Sequence, residues 1–478
     1  MKYIIQKNCH RNIYCLNIKV CTMSERETLS SRLGFIMLSV GCAVGLGNVW
    51  RFPYITGKYG GGMFVLLYLI FLVLLGYPLL VGELSVGRCG RANLVGSANR
   101  ISGNKKIWNI IFQTVFTGNF IPMTYYTVVS GWLLAYTKYY LTSSIAACTT
   151  PAAFAQCFGA LTANPLESLL YMLITVVIAT VVCCFGLQNG VEKSVKVMMF
   201  LLFLLIFVLA ANALTLPGSG KGMSFYLMPD WQKFSSNIGE TVFAAMGQAF
   251  FTLSLGVGSI AIFGSYINKS LSLAGEAITI IGLDTFIALM AGVVIFPCCF
   301  SFGVDPGSGP GLIFISLPNT FAKMSGGQWW GALFFIFLTI AALTTVIAVF
   351  ENLIAYLMDQ FNFKRRAAAL ITGGAVAICA IPCVLGFNLW SRFQPMGKGS
   401  TILDLEDFIV SQNLLPLGAV TLALFCSLKY GWGWEGFTTE ANTGKGLKFP
   451  TQCRWYFRYL LPLLILTVIF FGYKQLFG

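Results

Sequence analysis

The chain has 478 residues, of which 57% are hydrophobic and only 10% are charged. A soluble globular domain carries about 25% charged residues, so the composition excludes an ordinary soluble domain, a disordered chain and a fibrous coiled coil. A net charge of +14 would suggest nucleic-acid binding in a soluble protein. In membrane proteins basic residues collect in cytoplasmic loops. Such loops account for the positive charge of this chain, so we expect no nucleic-acid partner.

Apolar runs recur along almost the whole chain. Each has about 20 residues, enough to cross a hydrocarbon layer of roughly 30 Å as a helix. The runs predict an all-α polytopic membrane protein that crosses the lipid bilayer through eleven transmembrane helices. The predicted spans are about 33–56, 63–86, 108–140, 166–186, 192–214, 239–267, 274–300, 328–358, 366–388, 403–428 and 454–474.

Loop charges predict the orientation. Residues 1–22 lack the long apolar stretch and cleavage site of a signal peptide, and we expect residues 1–25 to form an N-terminal tail. Lys and Arg are frequent in alternate loops, for example at 88–106 and 364–366, whereas 141–165 contains neither. Because the basic side faces the cytoplasm, we expect a protein of the cell (inner) membrane with a cytoplasmic N-terminus. An odd number of spans then places the C-terminus outside.

Glycines interrupt two predicted helices at their middles. The first helix reads GCAVGLG at 41–47 and the sixth reads TLSLGVG at 252–258. Each glycine costs a helix up to ~1 kcal/mol relative to alanine. Such glycines can simply allow close helix packing, but a pair of interrupted segments in matching places indicates the midplane site of an inverted-repeat transporter. The free N–H groups of a break suit a carboxylate, and its free C=O groups suit Na⁺ or an ammonium group.

The segments GCAVGLGNVWRFPY (41–54) and FFTLSLGVGS (250–259) resemble the neurotransmitter:sodium symporter family, in particular its bacterial amino-acid transporters of the leucine-transporter type. Supporting segments are GELSVGR (82–88), YYTVVSGW (125–132), GLDTFIALMAG (282–292), LTTVIAVFENL (343–353) and LEDF (405–408). The resemblance implies the leucine-transporter fold, a 5+5 inverted repeat with helices 1 and 6 unwound at mid-membrane. It implies a tail at 1–25 and a transporter domain at 26–478. Within that domain repeat one spans about 32–214, repeat two about 239–428 and an extra helix about 454–474.

The resemblance also implies two sodium sites made of oxygen ligands, which hard cations prefer. The first would combine the backbone oxygen of Ala43 with the side chains of Asn48, Thr252 and Asp284. The second would combine the backbone oxygens of Gly41, Val44 and Ala341 with the hydroxyls of Thr344 and Thr345. Burying a bare ion costs on the order of 20 kcal/mol by the idealised Born estimate, so a ring of oxygens has to replace its water.

Asp284 lies in the middle of an apolar run, where a carboxylate is rare and usually functional. Chloride-dependent relatives draw a negative charge from bound chloride, and the resemblance implies that Asp284 supplies this charge here. Ala288 stands where the leucine transporter has another acid. We therefore expect chloride-independent transport. A protonated Asp284 bonded to a neighbouring helix is the alternative explanation.

Gly45 bears on the substrate. Monoamine transporters of the family have an aspartate there, so glycine indicates a ligand that brings its own carboxylate, an α-amino acid. The resemblance places this carboxylate on the N–H groups of Leu46 and Gly47, the Tyr126 hydroxyl and the first sodium. It places the amine on carbonyls of Ala43, Phe251 and Thr252, and on Ser254. An apolar pocket formed by Val257, Val349, Met123, Phe251 and Thr345 suggests a large neutral or aromatic side chain.

Two charge pairs are expected to act as gates. The resemblance pairs Arg51 with Asp407 at the external side, and Arg26 with Asp359 at the internal side, where Tyr266 lies nearby. Exposed ion pairs contribute only ~0–1 kcal/mol, and this weakness suits contacts that open in each cycle.

Other classes are less well supported. The only histidine is His10, and the motifs HExxH, GxSxG and GxxxxGK are absent, so we expect neither an enzyme nor an ATP-driven pump. A proton-coupled symporter that uses Asp284 and a non-transporting substrate sensor stay open as alternatives. Glu83 is expected to pack beside the first helix without a transport role, and the sequence does not indicate an oligomeric state.

Overall fold

The computed structural model describes residues 27–304, 306 and 311–477. Of the described residues 79% are helical and none forms a β-strand, which confirms the predicted all-α fold. The helices are α1 (Arg32–Ala43), α2 (Gly47–Lys58), α3 (Gly62–Gly90), α4 (Leu94–Ser102), α5 (Lys106–Leu141), α6 (Pro151–Ala163), α7 (Pro165–Cys184), α8 (Leu187–Thr215), α9 (Ser219–Leu227), α10 (Trp231–Ser236), α11 (Ile238–Thr252), α12 (Ala261–Tyr266), α13 (Leu273–Ser301), α14 (Leu312–Ala322), α15 (Gly327–Phe361), α16 (Arg365–Leu385), α17 (Ile402–Ser427), α18 (Trp434–Ala441) and α19 (Thr451–Lys474).

Eight of these helices are individually long and apolar enough to cross a membrane, and the bent pair of α1 and α2 makes a ninth span. Two predicted spans fall outside this set. α5 has 36 residues but is rich in Thr and Tyr. α11 and α12 are separated by turns at 253–260. The membrane-spanning helical architecture is confirmed, whereas the count of eleven spans stays a prediction.

The first break separates α1 from α2. α1 ends at Ala43 because Val44 is extended, with φ −70° and ψ 106°, and the chain bends by 54°. A Cβ atom on Gly45 would lie 2.4 Å from the Tyr126 hydroxyl oxygen and 2.7 Å from Thr345 Oγ1. Glycine is therefore what allows α5 and α15 to approach the break this closely.

The second break separates α11 from α12. Ser254, Gly256 and Gly258 have positive φ angles of 50°, 101° and 81°, a region that glycine adopts without steric cost. A Cβ atom on Gly256 would also lie 2.2 Å from the carbonyl oxygen of Leu415. Backbone conformation and packing together require glycine at 256.

Glu83 of α3 satisfies N–H groups that the second break leaves free. Its Oε1 accepts hydrogen bonds from the N–H groups of Gly256 at 2.6 Å and Gly258 at 3.2 Å, and its Oε2 accepts one from Ile260 at 3.2 Å. The side chain is fully buried. The sequence analysis expected packing beside the first helix, but the hydrogen bonds of Glu83 go to the second break.

Three helices surround the breaks. α5 and α15 share the most extensive contact between helices, and α1 packs on α15, α13 and α8. Hydrogen bonds connect the first break to Tyr126 of α5, Asp284 of α13 and Thr345 of α15. The site therefore lies where both breaks meet these helices.

Candidate functional site

The side chains of Asn48, Thr252 and Asp284, here named the Asp284 cluster, meet between the two breaks. Asn48 Nδ2 donates to Asp284 Oδ1 at 2.9 Å and to Thr252 Oγ1 at 3.0 Å. Thr252 Oγ1 donates to Asp284 Oδ2 at 3.0 Å. All three residues are buried, and Asp284 forms no ion pair with a Lys or Arg of the described chain. A buried carboxylate with only neutral partners suits a cation.

Backbone groups of the first break adjoin this cluster. Asn48 Oδ1 accepts a hydrogen bond from the N–H of Gly45 at 3.3 Å. Ala43, the remaining predicted ligand of the first sodium, is the last residue of α1, where helix carbonyls lack partners further along the helix. The four predicted ligands thus include a carboxylate, an amide, a hydroxyl and a helix-end carbonyl, a set that fits Na⁺.

The predicted members of the second sodium site, here named the Thr345 cluster, also lie together. Thr345 Oγ1 is 3.3 Å from Gly41 O, 3.1 Å from Val44 O and 3.3 Å from Ala341 O. Thr344 Oγ1 is 2.9 Å from Ala341 O. Both hydroxyls bond back to their own helix at Ala341, as threonines in helices often do, but the contacts with Gly41 and Val44 connect two helices. Five neutral oxygens converge here, and they fit a hard cation.

A cavity of about 60 Å³ is lined by Thr345 of the Thr345 cluster and by Gly47 and Phe251, which precede Asn48 and Thr252 of the Asp284 cluster in the chain. Eight of the ten predicted substrate residues line it, namely Ala43, Gly47, Tyr126, Phe251, Ser254, Val257, Thr345 and Val349, and so does Met123. The other two lie at its edge. The N–H of Leu46 donates to the Tyr126 hydroxyl at 2.9 Å, and Thr252 belongs to the Asp284 cluster.

Arg51 and Asp407, the predicted external gate, both lie close to this cavity. The Arg51 guanidinium lies 4.2 Å from the centroid of the Phe251 ring, which is a cation–π contact. Asp407 Oδ1 instead accepts hydrogen bonds from Tyr125 at 3.1 Å and from Ser411 at 2.8 Å. Phe251 lines both the 60 Å³ cavity and a larger one of about 210 Å³ on the side of Arg51. Phe251 and Leu415 line both cavities and lie between them, and a direct pair of Arg51 with Asp407 stays a prediction.

Comparison with known proteins identifies the family. The family model of the sodium:neurotransmitter symporter family matches residues 26–170 and 165–477. The chain belongs to this family. The symporter is therefore a sodium-coupled transporter with several membrane-spanning helices and not an enzyme, and the family assignment made from the sequence is confirmed.

Bacterial relatives of the symporter match over nearly its whole length. An uncharacterized sodium-dependent transporter of Bacillus subtilis (strain 168), YhdH, is 33% identical over 452 residues, which cover 93% of this chain and 98% of the relative. Another from Haemophilus influenzae is 35% identical over 460 residues, which cover 93% and 97%. The crystal structure of MhsT in complex with L-phenylalanine superposes with a TM-score of 0.83 and 36% identity, over 93% of this chain and 99% of MhsT.

The predicted internal gate of the symporter lies only partly within the described residues, because Arg26 is outside them. Its predicted partner Asp359 accepts hydrogen bonds from the backbone N–H and the Nδ2 of Asn93, at 2.8 and 3.0 Å. The Tyr266 hydroxyl donates to Glu351 Oε1 at 2.6 Å. Asp359 and Tyr266 thus both make polar contacts, and the joint action of Arg26, Asp359 and Tyr266 as a gate stays a prediction.

The sequence analysis missed an ion pair in this region. Arg365 Nη1 lies 2.7 Å from Glu351 Oε2, and Arg365 Nη2 lies 2.8 Å from Glu27 Oε2. The side chain of Glu351 has 0% exposure. The position of Glu351 inside the apolar run LTTVIAVFENL is a signal that could have found it, because a buried acid in such a run needs a partner.

Proposed function

We propose that this symporter imports a neutral, large hydrophobic or aromatic L-amino acid together with two Na⁺ ions, and that it does so without chloride. The proposal rests on the position of the 60 Å³ cavity. Thr345 of the Thr345 cluster lines it, as do Gly47 and Phe251, the chain neighbours of Asn48 and Thr252 in the Asp284 cluster, and residues of both helix breaks line it. One ligand in this cavity can therefore interact with both ion sites and with the free backbone groups of both breaks.

The negative charge of Asp284 favours binding of Na⁺ at the Asp284 cluster and disfavours binding of chloride. The carboxylate is buried among an amide and a hydroxyl, and an uncompensated buried charge is costly. Na⁺ supplies the missing positive charge. A chloride ion would be repelled by the same fixed carboxylate, so the symporter should not need one.

The Thr345 cluster is the proposed second sodium site. Its ligands come from α1 and α15, so an ion there joins the two helices. The hydroxyl proton of Thr345 now points at backbone carbonyls. With Na⁺ present, this proton turns away and an oxygen lone pair faces the ion.

The backbone of the amino acid fits the polar edge of the cavity. Because the Tyr126 hydroxyl accepts a hydrogen bond from the N–H of Leu46, its own proton can turn toward a substrate carboxylate and donate to it. The N–H groups of Leu46 and Gly47 lie in the first break. Their partial positive charges would attract the same carboxylate. The amine would meet carbonyl oxygens of Ala43, Phe251 and Thr252, and Ser254.

The side chain of the amino acid would enter the apolar part of the cavity. Val257, Val349 and Met123 line this part and offer no charge to a charged side chain. The similarity to MhsT, solved with L-phenylalanine, supports an aromatic substrate. Phe251 lines both this cavity and the larger one on the side of Arg51, and it is the wall residue that we expect to move when the amino acid enters.

Transport would follow by alternating access of the two inverted repeats. Movement of Phe251 and Arg51 would open the external side, and rearrangement around Tyr266, Asp359 and Arg26 would open the internal side. In this proposal the N-terminus lies in the cytoplasm, the C-terminus lies outside, and the protein resides in the cell (inner) membrane.

Uptake of radiolabelled phenylalanine, leucine and alanine into proteoliposomes tests the proposal. An inward sodium gradient should drive uptake of the large substrates, and replacing Na⁺ by K⁺ should abolish it. Replacing chloride by gluconate at constant sodium should leave uptake unchanged. Loss of uptake in gluconate would refute chloride independence, and failure of all amino acids to accumulate would refute the substrate class.

A proton-coupled symporter is the second candidate, because Asp284 is buried without a cationic partner and could bind H⁺ in place of Na⁺. The same vesicles distinguish the two. A pH gradient that drives uptake in the absence of sodium favours the proton, whereas uptake only with a sodium gradient favours the first proposal.

A further inference from the structure

Part of the cavity wall is polar, and the proposed function makes no use of these groups. Asn119 of α5 and Ser259 of the second break both line the cavity and are buried. Pro122 and Gly118 also line it. Because proline has no N–H, the carbonyl of Gly118 does not receive the usual helical hydrogen bond from position 122. The surrounding wall is apolar, with a buried group formed by Val115, Val257, Val410 and Leu415. The sequence analysis assigned no role to any of these polar groups.

Asn119 has no hydrogen-bonding capacity to spare. Its Nδ2 donates to Val257 O at 2.6 Å and to Phe116 O at 3.3 Å. Its Oδ1 accepts from Ser259 Oγ at 2.7 Å and from Asn352 Nδ2 at 3.1 Å. Because backbone carbonyls only accept, the NH₂ group has to face Val257 and Phe116, and the orientation of the amide is chemically determined.

The fixed amide determines what Ser259 can offer. A serine hydroxyl has one proton and two lone pairs, and this proton is committed to Asn119 Oδ1. Toward the cavity Ser259 can therefore only accept a hydrogen bond. The carbonyl of Gly118 is also an acceptor. Among the described side chains, Asn119 and Ser259 thus have no donor left for a ligand, and the Ser259 oxygen remains an acceptor.

We propose that Ser259, held in place by Asn119, is a specificity-determining residue that selects aromatic amino acids with a hydrogen-bond donor on the ring, such as the indole N–H of tryptophan. The inference rests on the proposed function and deepens it. A tryptophan side chain would pack against the apolar wall and donate a hydrogen bond from its indole N–H to the Ser259 hydroxyl oxygen. A ring of the same shape without a donor would leave that oxygen without a hydrogen bond in a site that excludes water. The loss of one hydrogen bond in a buried site is the basis of strong discrimination between close analogues. Asn119 acts as a positioning residue because it fixes the serine proton.

Competition between isosteres tests the inference. Sodium-driven uptake of labelled L-leucine is inhibited with L-tryptophan or with 3-(3-benzothienyl)-L-alanine, in which sulfur replaces the indole N–H. Wild type should be inhibited by tryptophan at a concentration about three- to tenfold lower, the range that one neutral hydrogen bond gives. Ser259→Ala should lose this preference while its response to the benzothienyl compound stays unchanged. Ser85→Ala is the matched control, because Ser85 is buried but does not line the cavity.

The outcomes separate the inference from the proposed function. Equal inhibition by both compounds in wild type overturns the inference, while sodium-driven leucine uptake in the same vesicles still supports the proposed function. A preference for tryptophan that persists in Ser259→Ala overturns the assignment to Ser259. Absence of sodium-driven uptake of every amino acid would refute the proposed function, and the inference with it. If Ser259→Ala does not fold, the comparison of isosteres on wild type still decides whether a donor is recognised.

Discussion

Substitution of Gly45 by alanine tests the central geometry, because this residue is where the first break, α5 and α15 come closest. The new Cβ atom would lie 2.4 Å from the Tyr126 hydroxyl oxygen and 2.7 Å from Thr345 Oγ1. Tyr126 is the proposed donor to the substrate carboxylate, and Thr345 is the centre of the proposed second sodium site. A single methyl group therefore strains a substrate contact and an ion contact together.

The size of the effect follows from the distances. An ordinary contact of a Cβ atom begins near 3.4 Å, so Tyr126 has to retreat by about 1 Å and Thr345 by somewhat less. A misplacement of this size can reduce the rate of a geometrically demanding step about 10²-fold. Overpacking of this kind also destabilises a protein by about 1–3 kcal/mol. We expect Gly45→Ala to reduce uptake about 100-fold, with a moderate loss of thermal stability.

Two measurements on the purified variant check this prediction. Initial rates of amino-acid uptake into proteoliposomes report the transport defect, and thermal unfolding with and without sodium reports whether ion binding still stabilises the protein. Gly374→Ala is the control, because a Cβ atom there meets nothing within 4 Å. Wild-type uptake by Gly45→Ala, with wild-type stabilisation by sodium, would refute the proposed roles of Tyr126 and Thr345 at this break.

Three further substitutions test other parts of the site. Asp284→Asn removes the charge of its cluster, and we expect the sodium concentration for half-maximal uptake to rise at least about tenfold, or ~1.4 kcal/mol; an unchanged sodium titration would contradict the sodium role. Gly256→Ala places a side chain at φ 101°, which costs roughly 1–2 kcal/mol, and its Cβ atom would also overlap the carbonyl oxygen of Leu415. The melting temperature of this variant should therefore fall below that of the control Gly220→Ala, where a Cβ atom meets nothing within 4 Å. Arg365→Met leaves the Glu351 carboxylate buried and unpaired, a loss of about 3–5 kcal/mol; thermal unfolding should show this loss and its recovery in the double variant with Glu351→Gln, and wild-type unfolding of the single variant would count against the pair.

The two breaks could be predicted from the sequence because their cause is local. Glycines at 41–47 and 256–258 weaken a helix wherever the rest of the chain lies, and the structure ends α1 and α11 at those places. Asp284 could be singled out for the same kind of reason, since an acid within an apolar run is costly in any fold of the chain.

The partners of the breaks could not be predicted in this way. Glu83 and Gly256 are separated by 173 positions, and only the packing of α3 against α12 brings them together. The position of Arg51 over Phe251 depends on rotamers that two neighbouring helices select jointly. Asn119 and Ser259 look ordinary in the sequence, and their role becomes visible only when the complete set of hydrogen bonds is known.

The first break explains how the ions and the amino acid could be coupled. Val44 contributes its carbonyl to the Thr345 cluster, and the next residue, Gly45, donates its N–H to Asn48 of the Asp284 cluster. A ligand that orders this short segment therefore changes both clusters, and by linkage each ion has to favour the substrate as much as the substrate favours the ion. Two Na⁺ ions moving down a potential of 100 mV would release about 4.6 kcal/mol, at ~2.3 kcal/mol per charge. This energy can drive accumulation of the amino acid only if the shared segment transmits it, so a substitution that uncouples the clusters should allow sodium binding without substrate accumulation.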